Sequence, residues 1–229
     1  MLLVTVATEN EIRPLNYFFS SSENSKILVT GMGPVATAAS LSKHLALNGA
    51  NIEGVMNIGV GGAYVSSGLS LLDICLARQE VFGDFGVCME NEILNFEPGL
   101  SQLSTPLLFN NELIAMSRDI LTSHAVEYKV TNFVTVNCCS GTKKRGDYLW
   151  EKFDAGCENM EGAAVAMVCN AFNIPCVELR CISNLVEDRE TANWKLEQAV
   201  ARICSVAELI LKECASAGYK PVIHNSQSD

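Results

Sequence analysis

Histidine and tryptophan are scarce in this chain, with three and two among 229 residues. None of the ten cysteines forms a C-x-x-C pair, and the histidines do not gather near them, so the usual spacing of a zinc site is missing. Cys75, Cys169, Cys176 and Cys204 fall inside apolar runs, which makes buried, reduced thiols the expectation, with the vicinal Cys138-Cys139 read as packing. There is no G-x-x-x-x-G-K-[ST] loop and no G-x-S-x-G elbow, which removes those routes to phosphate binding and serine catalysis. Basic residues are outnumbered, 16 against 26 acidic, for a formal charge of −10. A nucleic-acid partner would want the opposite balance. No apolar run is long enough to span a bilayer. The start, Met1 to Ala7, lacks a basic region and meets Glu9 and Glu11 at once, so no signal peptide and a cytoplasmic location are expected.

What is present is a globular composition, 48% hydrophobic and 18% charged, without linker, repeat or low-complexity segment. One domain over residues 1–217 is expected, with a polar tail at 218–229 that frays. Strands are expected at Leu2–Ala7, Lys26–Thr30, Gly54–Ile58, Leu71–Phe82, Val126–Val136 and Cys176–Ile182. Helices are expected at Glu9–Phe19, Pro34–Leu47, Asn110–Leu121, Ala163–Cys169 and Trp194–Cys214. Gly83–Pro106 reads as a long functional loop and Asn137–Gly146 as a shorter one. The alternation predicts an α/β fold around a central, largely parallel or mixed sheet.

The densest chemistry lies between Cys157 and Arg189. Glu161-Gly162 opens a small-residue helix that Asn173-Ile174-Pro175 stops, and Asn184 follows the next strand. In open α/β sheets, ligands sit outside the carboxyl ends of strands. Glu9 and Glu11 follow the first strand, and Glu158 and Glu161 flank the helix start. Acidic residues there commonly answer the helix dipole. Two carboxylates converging on one substrate would instead suit cleavage of a glycosidic bond, one activating water and one gripping hydroxyls. Gly31-x-Gly33 and Gly59-x-Gly61-Gly62 permit close backbone approach, yet a glycine turn alone is a weak sign of a phosphate cradle. Asn184 is an ordinary turn residue or a group that both donates to and accepts from a base edge. Trp194 reads equally as a core anchor at a helix start.

Met160-Glu161-Gly162-Ala163-Ala164 resembles the M-E-[AG]-x-A segment of the purine nucleoside phosphorylase and nucleosidase superfamily. Glu11 after the first strand, Gly31-x-Gly33, Asn57-x-Gly59-x-Gly61-Gly62 and Arg180-x-x-Ser183 follow in the matching order. Arg180 to Arg189 with Trp194, Gly61 to Tyr64 and Glu80 to Gly86 most resemble the futalosine hydrolases of menaquinone biosynthesis. The resemblance implies a three-layer fold, a mixed sheet flanked by helices, and release of hypoxanthine from futalosine. It casts Glu11 as the activator of water, Glu161 as the ribose-hydroxyl ligand and Met160 as packing on the ribose. The stretch Thr135–Thr142, with Asn137, becomes part of the purine wall, Gly61 part of the pocket, and Arg189, with Arg145, a candidate for the substrate's carboxylate. Adenine-releasing nucleosidases of the superfamily, acting on methylthioadenosine or adenosylhomocysteine, carry aspartate where this chain has Asn184. Asparagine cannot protonate ring nitrogen N7, but it can donate to a 6-oxo group. Phosphorylases carry Gly-Asp-Pro-x-Arg where Thr8-Glu9-Asn10-Glu11 stands here, so water rather than phosphate is the implied nucleophile. No metal or organic cofactor is implied, and a homo-oligomer is. The family pattern has Gly-Asp where this chain has Leu72-Asp73. A nucleoside-binding protein without catalysis remains the alternative from another class.

Overall fold

The computed structural model describes residues 1–15, 17, 19, 25–90, 92–97 and 101–219. The first strand, β1 (Leu2–Val6), is buried along its whole length and lies parallel between β2 (Ser25–Val29) and β3 (Gly54–Tyr64). The first half of β3 pairs with β1. Further along, β3 pairs in parallel with β10 (Cys176–Val186), and its last residues meet β9 (Ala155–Asn159) antiparallel. From β10 the sheet continues through β4 (Ile74–Phe82) and β8 (Lys129–Thr135) back to β9. Strands β3, β10, β4, β8 and β9 therefore close a ring, and β1 and β2 extend from its flank.

This is the mixed central sheet flanked by helices that the resemblance implies. The short helix α1 (Glu9–Ile12) follows β1, and α2 (Pro34–Asn48) starts with proline at its first position, where no hydrogen bond is lost. Next come the short β5 (Val87–Cys88), β6 (Ile93–Leu94) and β7 (Leu107–Leu108), then α3 (Glu112–Ser123) and α4 (Lys143–Phe153). The series ends with α5 (Gly162–Ala171) and α6 (Leu196–Ser216). α6 packs on β10 and β3, and α2 packs on α5.

Several boundaries differ from the sequence reading for identifiable reasons. The expected helix Glu9–Phe19 is interrupted: it is α-helical over Glu9–Ile12, tightens to a 3-10 turn at Arg13–Leu15, where Pro14 cannot donate, and is helical again at Tyr17 and Phe19; residues 16 and 18 lie outside the described residues. β4 starts at Ile74, not Leu71, because Leu72 takes a left-handed φ of 69°, a conformation glycine adopts without strain. β3 and β10 run on to Tyr64 and Val186 beyond their expected ends. The loop expected over Asn137–Gly146 is cut short by α4, since the Thr142 hydroxyl accepts the Arg145 N–H at 3.3 Å and caps it. Within Gly83–Pro106, β5 and β6 form a small antiparallel pair; residues 91 and 98–100 lie outside the described residues. α5 ends as expected before Pro175, with Asn173 left-handed and Ile174 N–H bonded to Cys169 O at 2.9 Å. In the expected tail, Gly218 turns left-handed and the Tyr219 N–H caps α6 on Cys214 O at 3.0 Å; residues 220–229 lie outside the described residues. All ten cysteines are free, seven of them buried. Among the described residues, no helix is long and apolar enough to cross a membrane, and no group of three or more His, Cys, Asp or Glu is placed to hold a metal.

Candidate active site

Thr8 stands at the N-terminus of α1, and its backbone N–H and hydroxyl each donate to Glu11 Oε2 at 3.1 Å. Glu11 is thereby turned inward, and its Oε1 faces the Val60 N–H at 3.4 Å. Glu9, the first residue of α1, is exposed. Burial raises the Glu11 pKa above the ordinary carboxylate range; Arg180 opposes that shift and Glu161 adds to it.

Glu161 reaches the same place from the start of α5. Gly33 takes a φ of 88°, open to glycine at no cost, and its N–H donates to Glu161 Oε1 at 3.1 Å. The N–H groups of Glu161 and Gly162 both donate to Asn159 Oδ1, at 2.9 and 2.7 Å. Asn159 thus does for α5 what a capping side chain does, satisfying two of its orphan donors. Glu161 is 5% exposed.

Arg180 pairs with Glu161 and lies close to Glu11 across Gly59. It is 2% exposed in the middle of β10, and its Nη1 donates to Glu161 Oε2 and to Val60 O, both at 3.3 Å. Its Nε donates to Glu178 Oε1 at 2.9 Å. Burial alone would disfavour the charge, but Glu178, then Glu161 and Glu11, keep the guanidinium protonated. A Cβ on Gly59 would lie 2.5 Å from Arg180 Nη1 and 2.9 Å from Glu11 Oε1. The bare backbone of β3 is therefore what lets the acid and the guanidinium approach.

Asn184 belongs to a neighbouring group. A bulge between Ile182 and Asn184 shifts the pairing of β10, so that Asn184 stands opposite Gly62. Its Nδ2 donates to Leu185 O at 3.1 Å and its Oδ1 accepts from Ser183 Oγ at 2.9 Å. Asn184, Ser140, Arg189 and Trp194 line a cavity of about 360 Å³. The Arg189 guanidinium lies 4.8 Å over the Trp194 ring. Ser140 is fixed by Glu158, which accepts its N–H at 2.8 Å and its hydroxyl at 2.6 Å.

The remaining expected site residues fall as follows. Met160 Sδ touches Cys139 Sγ at 3.2 Å, linking the chain segment of Glu161 to that of Ser140. Gly61 O accepts from Ser183 Oγ at 3.3 Å, and a Cβ on Gly61 would meet Cys157 Sγ at 2.5 Å. Asn137 is exposed; its N–H and Nδ2 donate to Asp84, at 2.7 and 3.1 Å, so it ties down its own loop rather than lining the cavity. Arg145 Nη2 lies 3.8 Å from Asp84 Oδ2. The structure thus brings Glu11, Glu161 and Arg180 together, and Asn184, Ser140 and Arg189 together, roughly 13 Å apart along β10 at about 3.3 Å per residue. Sequence reasoning gave no role to Arg180, Asn159 or Glu178. The available signal was a polar Glu-x-Arg inside an otherwise apolar strand.

The phosphorylase superfamily profile matches residues 4–212. The chain is 30% identical over 201 residues to a futalosine hydrolase of Thermus thermophilus, covering 85% of this chain and 84% of that one. It is 26% identical to an aminodeoxyfutalosine nucleosidase of Campylobacter jejuni, covering 93% and 92%. The solved structure of a futalosine hydrolase mutant of Helicobacter pylori superposes with a TM-score of 0.81 at 22% identity, covering 93% and 98%, and so shares the fold. The chain belongs to the phosphorylase superfamily, and within it is an enzyme of the nucleosidase type.

Proposed function

We propose that the protein hydrolyses the N-glycosidic bond of futalosine, releasing hypoxanthine and dehypoxanthine futalosine, a step of menaquinone biosynthesis. The approach of Glu11 and of the Arg180-bound Glu161 to the bare backbone of β3 at Gly59 and Val60 carries this reading, because two carboxylates of different surroundings can take different tasks. Glu161, held by Gly33 and Arg180, accepts hydrogen bonds from the ribose hydroxyls. Glu11, desolvated and more basic than an ordinary carboxylate, takes a proton from water as its oxygen bonds to the anomeric carbon. The carbon–nitrogen bond breaks, its electron pair leaves with the base, and the base takes a proton from solvent. Asn184 donates to the base as that charge develops, which suits a 6-oxopurine. Met160 packs on the ribose, and Ser140 belongs to the purine wall.

Arg189 shares its cavity with Asn184, so this assignment puts it at the base end rather than at the substrate's carboxylate, the role the resemblance implied for it. The likeness to aminodeoxyfutalosine nucleosidase favours one second reading, a related nucleosidase that releases a different base. Incubation of purified protein with futalosine, inosine and methylthioadenosine, with and without phosphate, decides between them. Hypoxanthine from futalosine alone, independent of phosphate, supports the proposal. Adenine from methylthioadenosine moves the protein to the broader group, and binding without release of any base makes it a nucleoside-binding protein.

A further inference from the structure

Behind the Glu11–Glu161–Arg180 cluster lie two more carboxyl groups, Glu80 on β4 and Glu178 on β10, both with no exposed surface. Their oxygens converge over the start of α5. A Cβ on Gly162 would sit 2.1 Å from Glu80 Oε1 and 2.2 Å from Glu178 Oε2. Glu178 Oε1 accepts from Arg180 Nε at 2.9 Å and Asn57 Nδ2 at 3.1 Å, whereas its Oε2 is buried and, among the described residues, accepts from no amide, hydroxyl or guanidinium. Glu80 Oε2 accepts from Thr135 Oγ1 at 2.9 Å, and Glu80 Oε1 accepts from Asn159 Nδ2. A buried acceptor without a donor is costly, and so are two adjacent buried anions.

We infer that Glu80 and Glu178 share one proton, held on Glu80 Oε1 and donated to Glu178 Oε2, and that this acid–carboxylate pair positions the two groups that hold Glu161. As an anion, Glu178 fixes Arg180, which grips the Glu161 carboxylate. As a neutral acid, Glu80 fixes Asn159, which grips the Glu161 backbone. A protonated carboxyl oxygen can donate to Glu178 and accept from Asn159 at once, which an amide nitrogen cannot. Burial pushes both carboxyl groups above the ordinary range, and mutual repulsion pushes Glu80 further. The other charged or titratable groups acting on the pair are Arg180, Glu161, the Cys157 thiol and the Tyr64 hydroxyl.

Infrared difference spectra at neutral pH test the pair without substrate. Glu80→Gln should remove one carboxylic-acid carbonyl band. Glu178→Gln should remove the same band, because the amide introduced at position 178 then donates to an ionised Glu80. A band that survives in Glu178→Gln overturns sharing, and no loss in either variant overturns the proton altogether. The positioning role rests on the proposed function and is read by futalosine hydrolysis. Glu178→Gln, which rebuilds every hydrogen bond, should stay within roughly threefold of the parent, while Glu80→Gln, which must break one, should lose about tenfold or more in kcat. In the double variant the amide group at position 178 can donate to the amide carbonyl at position 80, which should recover most of that loss. A double variant no better than Glu80→Gln overturns the positioning role. Absence of turnover in the parent would count against futalosine as substrate, and the infrared result would still decide the pair.

Discussion

Arg180 Nη1 donates to Glu161 Oε2 at 3.3 Å, across 19 positions of sequence and between two side chains that water barely reaches. The pair links the strand that carries Asn184 to the helix start that carries Glu161. Breaking one member would strand the other as an uncompensated buried charge. Replacing Arg180 with Met is therefore expected to cost both folding stability, by about 3 kcal/mol or more, and ribose affinity. Thermal denaturation and KM on the same variant check it together.

Glu11→Gln keeps the Thr8 contacts in shape and removes the proposed base. Hydrolysis should fall roughly 10²–10⁴-fold in kcat, with substrate affinity little changed. Turnover at the parent rate would take Glu11 out of the mechanism.

If Glu11 is the base proposed above, the pH dependence of kcat/KM should carry an acid limb above the ordinary glutamate range, because a base acts as its anion and the Glu11 pKa is raised. Activity is lost as pH falls through that raised value. An acid limb at the pKa of a free glutamate would contradict the desolvation seen here.

Glu158 makes a separate prediction about stability. Burial raises its pKa, so the folded state holds its proton more tightly than the unfolded chain. The favourable contribution is complete below the ordinary glutamate pKa and is lost as pH rises through the raised value. Glutamine can accept the Ser140 N–H and donate to the Ser140 hydroxyl without that loss. The melting temperature of Glu158→Gln relative to the parent should therefore rise with pH across this window; a constant or falling difference would contradict the argument.

Asn184→Asp tests the base. A carboxylate at this position can hold the proton that N7 needs and accept from a 6-amino group. Release of hypoxanthine should fall by about tenfold or more while adenine release from methylthioadenosine appears. Base analysis of the two reactions side by side measures the exchange.

Much of the fold was legible because its strands are apolar and its helices are bounded by proline, glycine and asparagine. β9 was not, since Glu158 and Asn159 interrupt the apolar pattern and are buried for the sake of Ser140, Glu80 and α5. α4 was hidden behind Lys143-Lys144-Arg145-Gly146, a polar opening that reads as loop until Thr142 is recognised as a cap. Leu72 is instructive in the other direction. Its departure from the family's glycine was visible in the sequence, and its left-handed φ shows what that glycine would relieve. In the candidate site, Glu11, Glu161 and Asn184 were readable as polar residues at element ends. Glu178 and Arg180 were not, because their partners lie on other strands and at the start of α5.

The side-by-side pairing of β3 and β10 gives the ring a seam built from residues more than a hundred positions apart. Neither strand can leave without opening the ring and separating Gly59 from Arg180. The amides paired between β3 and β10 should accordingly exchange with solvent only when the sheet opens, and at one common rate. Local breathing of the kind that admits a ligand is then left to segments outside the ring.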